Sequence, residues 1–195
     1  MIPSMAELQE TDRRVDVLRY FALAEEGLIS PDDRTELLDG VIVSMAPQSP
    51  LHASGVTWVD RRLREVLPAD TILRVQMPFI AGTTSVPEPD IAVVPGDQYD
   101  YVDRHPSTAL LLVEVSVSSP AQDRLTKAPI YAAAEVPNYW LVNLRDLCVE
   151  AFSEPDPTTR RYQRVQTLRD DQILDLEAFP EVRIAAGDLI AQPRR

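Results

Sequence analysis

The sequence predicts an α/β fold, with one mixed central sheet flanked by helices. Three observations carry this. Strand-like and helix-like segments intermix without strict alternation. Residues Ala109 to Val115 form a continuous apolar run broken only by Glu114, the pattern of a central strand buried on both faces. Two segments, Val15 to Ala24 and Pro50 to Leu67, repeat apolar residues at helical spacing.

Residues 1–14 read as a loose arm, and residues 15–195 as a single domain. In the first helix, Val15, Leu18, Phe21 and Ala22 fit one face, and Gly27 supplies a stop. Pro31-Asp32-Asp33 marks a turn. Two short strand-like runs, 35–38 and 41–45, flank Asp39-Gly40, which suits a type I′ hairpin. Ser49 can cap a helix with Pro50 in its first position. That helix turns Val56, Val59, Leu63 and Val66 inward and Arg61, Arg62 and Arg64 outward. Strands are expected at 71–76, 89–94 and 109–115. A turn from Pro120 to Arg124 leads into a helix reaching Ala134, with Pro129 in its first turn. A strand at 139–142 follows, then an antiparallel pair, 147–152 and 161–168, around Asp156-Pro157. A short strand at 182–184 and a short helix at 187–190 close the chain. Trp58 and Trp140 have apolar neighbours and read as core.

A chain of 195 residues and 21.8 kDa supports one sizeable core. No stretch of about 20 apolar residues offers a membrane span. The N-terminal residues lack a charged start followed by an apolar core, so a cytoplasmic protein is expected. The single Cys148 excludes an intramolecular disulfide or a cysteine-rich zinc site. A net charge of −12 argues against nucleic-acid binding through a broad basic surface. It leaves room for a carboxylate site whose local sign is set by a divalent metal. Seventeen prolines against six glycines point to stiff loops.

No P-loop, dinucleotide fingerprint, zinc-protease helix or nucleophile elbow is present, and only His52 and His105 are available as histidine ligands. The basic residues are nearly all arginine, and Lys127 is the one lysine. Lysine is a compact charge with a tunable pKa, a role arginine does not fill. Two carboxylates occupy settings costly for mere solubility. Asp90 opens an apolar strand after a proline, and Glu114 interrupts the long apolar run. At neighbouring strand ends, such a pair supplies the hard oxygen ligands that Mg²⁺ prefers. A nearby lysine can orient water or neutralise growing negative charge. Asp123, Lys127 and Tyr131 share one helical face at i, i+4 spacing.

Several segments, in order, resemble one family. They are Glu36-Leu37-Leu38-Asp39-Gly40, Met45-Ala46-Pro47, Ser49-Pro50 with His52, Gln76-Met77-Pro78-Phe79, Pro87-Glu88-Pro89-Asp90 and Glu114-Val115-Ser116. The run from Asp123 through Lys127 to Tyr131, and Val136-Pro137-Asn138-Tyr139-Trp140, complete the set. Together they resemble the Uma-type (Uma-two) restriction endonuclease family of the PD-(D/E)XK nuclease superfamily, over roughly residues 15–190. The resemblance implies a restriction-endonuclease-like fold and Mg²⁺- or Mn²⁺-dependent cleavage of DNA, with a homodimer as the working form. It implies Asp90 and Glu114 as metal ligands, Lys127 as the catalytic lysine and Glu36 as an additional catalytic acid. Gln76, His52, Asp123 and Tyr131 take supporting places. The superfamily's usual lysine position, two residues after the second acid, is Ser116 here; the family resembled carries its lysine on the following helix, where Lys127 stands. Glu135 occupies a place where the family usually has glycine, and Asn138 one where an acid is common. A non-catalytic interaction or regulatory protein that retains this fold is the alternative, since fold alone does not assign activity.

Overall fold

Short apolar runs in the middle of the chain build a six-stranded sheet in which strands that follow one another in the chain are hydrogen-bonded neighbours. A computed structural model describes residues 14–30, 32–117 and 123–190. Residues 1–13 of the arm expected over 1–14, Pro31 and the start of the turn at Pro120 lie outside the described residues. The strands are β3 (Ile72–Val75), β4 (Ile91–Val94), β5 (Leu111–Ser116), β6 (Asn138–Asn143), β7 (Cys148–Asp156) and β8 (Arg161–Leu168). Two further pieces lie earlier: α1 (Val17–Glu25) and the hairpin β1 (Thr35–Leu38) and β2 (Val41–Ser44). Asp39 and Gly40 both have positive φ, 48° and 81°, as a type I′ turn requires. The long helix α2 (Pro50–Val66) starts at the Ser49 side chain, which accepts from the His52 backbone N–H.

Only β5 and β6 pair in parallel; the other neighbours are antiparallel. A parallel pair needs a crossover over one face of the sheet. That crossover carries a π-helical turn (Asp123–Lys127) and the short helix α3 (Ala128–Ala133). The period-two alternation of β5 then sorts its side chains. Leu111, Val113 and Val115 join Val56, Val59 and Leu63 of α2 in one core, while Leu112 joins Ala128, Ile130 and Tyr131 of the crossover in another. Glu114 shares the parity of Leu112 and so faces the crossover. Gly55 permits close approach of α2 to the sheet, since a Cβ there would stand 2.6 Å from Leu144 Cδ1 and 2.9 Å from Val115 Cγ1.

Several expectations are corrected. Leu18 is 82% exposed, and α1 instead buries Tyr20, whose hydroxyl donates to the Thr35 carbonyl. The helix begins at its Asp16 cap and packs on the hairpin, Val86 and His105, which selects the face of Tyr20 over that of Leu18. The helix expected up to Ala134 is not one α-helix. Pro129 lacks an N–H and its ring crowds the carbonyl four residues back, and the wider π turn precedes it. Trp58 is not core: it is 39% exposed, with its ring nitrogen donating to the Asp188 carbonyl. Arg61, Arg62 and Arg64 do point outward, each paired with a carboxylate on α2. The closing strand is β10 (Ile184–Ala185), which pairs with an unanticipated β9 (Ile173–Leu174), and the last helical turn is 3₁₀ at Ala186–Leu189.

Glu135 ends α3 at φ 56°, the left-handed region that favours glycine. Replacing Glu135 with Gly is expected to stabilise the fold by about 1 kcal/mol, because relief of the Cβ clash exceeds the added chain entropy of glycine. A thermal melt checks this, with an expected rise of about 2–4 °C; an unchanged or lower Tm would show that no strain is stored there.

Candidate active site

The hairpin, the start of β4, the end of β5 and the crossover converge on one cleft of about 400 Å³. Glu114 sits in it almost fully buried. Its Oε1 accepts from Lys127 Nζ at 2.9 Å and from the Tyr131 hydroxyl at 2.7 Å. The same lysine nitrogen lies 3.0 Å from Oε1 of Glu36 on β1. That oxygen also accepts from the Glu88 backbone N–H at 2.7 Å. The hairpin is held in reach by reciprocal backbone bonds between Leu37 and Val86. Lys127 and Tyr131 therefore do meet on one face, as their spacing requires. Asp123 lines the same cleft, with no ion pair to Lys127.

Asp90 stands immediately before β4. The register Ile91↔Val113, continued by one residue, brings it beside Glu114. Its Oδ2 accepts from the Val115 N–H at 2.8 Å and lies 3.1 Å from His52 Nε2, and its Oδ1 accepts from Gln76 Nε2 at 3.0 Å. Gln76 itself has φ 50°, a left-handed bend just after β3. His105 lies elsewhere: it stacks on Phe21 and its Nδ1 accepts from Arg74 at 3.3 Å, outside the cleft lining.

The cleft is short of positive charge. Glu36, Glu88, Asp90, Glu114 and Asp123 face only Arg34 and Lys127, with His52 beside them. Burial pushes the Glu114 carboxyl up to about 8; Lys127 opposes this, and Asp90, Asp123 and Glu36 add to it. Asp123 and Glu88 are raised chiefly by burial as well. Burial disfavours the Lys127 cation, but Glu114 and Glu36 outweigh it and hold the amine protonated. Burial likewise disfavours the Asp90 anion, yet the hydrogen bonds from His52, Val115 and Gln76 keep its carboxyl below the ordinary range. His52 is raised by the Asp90 bond, against its own burial.

This donor set suits a divalent cation in a limited way. Among the described residues, no three His, Cys, Asp or Glu side chains are gathered as a ready cage. Mg²⁺ does not need one, because it keeps several waters and takes one or two carboxylates. Both donors to Glu114 use Oε1, so Oε2 has no protein donor among the described residues, and Asp90 Oδ1 has a spare lone pair. The surplus of buried carboxylates is the matching electrostatic demand.

Sequence reasoning missed two participants in the cleft. Glu88 lies between two prolines directly before Asp90, a signal that could have marked it. Arg34 had no such mark; only the folding of the hairpin brings it to the rim.

A mixed sheet with a crossover helix over β5, and buried acids around one lysine, places the chain in the class of nuclease-fold proteins. A similar fold occurs in the crystal structure of a protein described as "a putative nuclease belonging to DUF820" from Anabaena variabilis ATCC 29413. The TM-score is 0.70 at 14% identity, covering 90% of this chain and 97% of the other. The chain belongs to the Uma2 family, described as "Putative restriction endonuclease", whose model matches residues 18–187. No curated protein matches it. No helix among the described residues is long and apolar enough to cross a membrane.

Proposed function

We propose that the protein is a divalent-metal-dependent endonuclease that hydrolyses phosphodiester bonds of DNA. The observation that carries this is the convergence of Asp90, Glu114, Glu36 and Lys127 in one cleft, from four separate parts of the chain. Asp90 and Glu114 would hold Mg²⁺ or Mn²⁺. Such an ion supplies polarisation of the phosphoryl oxygen and acidification of water. Lys127, kept cationic between Glu114 and Glu36, presents its remaining N–H to the developing charge. Glu36 positions that ammonium, and the Tyr131 hydroxyl fixes Glu114 from the other side. Gln76 and His52 orient Asp90, and Asp123 adds negative charge at the mouth.

The test is cleavage of plasmid and single-stranded DNA with Mg²⁺ or Mn²⁺. Asp90→Ala, Glu114→Ala and Lys127→Ala should each lose at least about 100-fold in rate, with folding of each checked by circular dichroism. Undiminished cleavage by all three variants would remove the mechanism. The net charge of −12 favours a second reading, a non-catalytic protein on the same fold. Calorimetric titration separates the two: heat of Mn²⁺ binding that disappears in Asp90→Ala supports the nuclease, and no binding supports the alternative.

A further inference from the structure

A second cavity, about 850 Å³, shares Arg34, Ser44, Met45, Pro47 and Gln48 with the carboxylate cleft. It lies on the other face of the β1–β2 hairpin, the face of Thr35 and Ile42 rather than that of Glu36 and Val43, and the two cavities meet around Arg34 at the hairpin's open end. Beyond Arg34 the character changes. Leu23, Leu28, Ile29 and Ile42 make the walls, and Leu28 is 68% exposed. Apolar surface of this kind gains free energy when a flat ring covers it. Asp32 and Asp33, next to Arg34 in the chain, also line the cavity, and Asp33 Oδ2 accepts from the Ser30 N–H at 2.8 Å.

Lys127 is committed to two buried carboxylates. Arg34 is exposed, lines both cavities and makes no ion pair among the described residues. It is thus the fixed cation at the junction of the two cavities that can meet a substrate phosphate. The arginines on α2, Arg61, Arg62 and Arg64, are each paired with a carboxylate, so they offer a duplex backbone less free charge than Arg34 offers a phosphate.

Resting on the nuclease reading, we infer that this second cavity is a nucleotide subsite: Arg34 takes the phosphate next to the one cleaved, and the aliphatic wall takes an unpaired base. The substrate is therefore a single-stranded or locally unpaired nucleic acid. A base can lie on this wall only when it has left its stack, as it can in a single strand. Charge and shape agree: an anionic link meets the guanidinium, while the apolar ring meets the aliphatic wall.

The experiment uses a fluorescein-labelled single-stranded DNA 12-mer and its blunt duplex, bound to the full chain without added divalent metal and followed by anisotropy. The single strand should bind at least tenfold more tightly than the duplex. Arg34→Gln should weaken it about tenfold and reduce the slope of log K against log salt by about 0.7, the share of one phosphate on a single strand. Arg34→Lys should restore the slope. Leu28→Ser, at an exposed site, should weaken binding several-fold with the slope unchanged. In cleavage, both Arg34→Gln and Leu28→Ser should raise KM. Equal affinity for duplex, or wild-type affinity and KM in both variants, overturns the subsite while leaving metal-dependent cleavage by the wild type intact. Loss of cleavage in the wild type itself, with single-strand binding that still responds to Arg34 and Leu28, overturns the nuclease reading and keeps the subsite. Absence of any binding overturns the subsite.

Discussion

Replacing Lys127 with Met is expected to cost about 3–5 kcal/mol of stability, the penalty for stripping a buried carboxylate of its partner, in addition to abolishing cleavage. The side chains of Glu114 and Glu36 are only 6% and 7% exposed, and both face the same ammonium. Without it, two carboxylates share a low-dielectric site, and one must take up a proton or draw in a counter-ion. Urea denaturation at about pH 9, where the Glu114 carboxyl that titrates at about 8 is ionised, measures the loss. The double variant Lys127→Met with Glu114→Gln should recover much of it, because the uncompensated anion is then gone and the Tyr131 hydroxyl keeps an acceptor. Cleavage should stay absent in both. Lys127→Arg should lie between wild type and Met in stability without restoring activity, since a planar guanidinium does not replace a point charge held between two oxygens. A Lys127→Met variant within about 0.5 kcal/mol of the wild type, the range of ordinary surface substitutions, would mean that the cluster is not electrostatically coupled.

A comparable loss, about 3–5 kcal/mol, is expected for Tyr139→Ala. Tyr139 is fully buried in β6 and packs in an aromatic cluster. Its ring lies 5.1 Å from Tyr131, 5.0 Å from Phe152 and 6.3 Å from Tyr162. Truncation leaves a cavity lined by rings that the sheet cannot close over. It also frees Tyr131, and with it the support of Glu114, so activity should fall alongside stability. The informative control is Tyr139→Phe. The hydroxyl is buried without a protein hydrogen-bond partner among the described residues. Its removal keeps the ring and relieves a desolvated polar group, so stability should hold or rise by up to about 1 kcal/mol. Marked destabilisation by Tyr139→Phe would show that the hydroxyl has a partner that matters.

What could be read along the chain was local. Apolar runs bounded by turn residues marked the strands, Asp39-Gly40 announced its hairpin, and Ser49-Pro50 announced the start of α2, because each depends on backbone preferences within a few residues. The oddity of Glu114 inside an apolar run, and of a solitary lysine among arginines, flagged the site without locating it. The crossover shows the limit. Apolar spacing around Lys127 suggests one α-helix, yet Pro129 and the packing of Tyr131 produce a π turn followed by six residues of α-helix. Trp58 shows the same limit: its neighbours are apolar, but the exposed side of α2 passes through it.

By itself, then, the order of residues determined most of the strands and helices, though not β9 or the π turn of the crossover, and which few side chains are out of place in a mere core. Only the tertiary structure decided that Glu36 and Glu114 share one ammonium, that Asp90 accepts from the Val115 backbone, and that Arg34 bridges two cavities. Those meetings depend on strand register and on which face the crossover covers. Both are set by long-range packing and by the parity of side chains across the sheet, which no window of neighbouring residues contains.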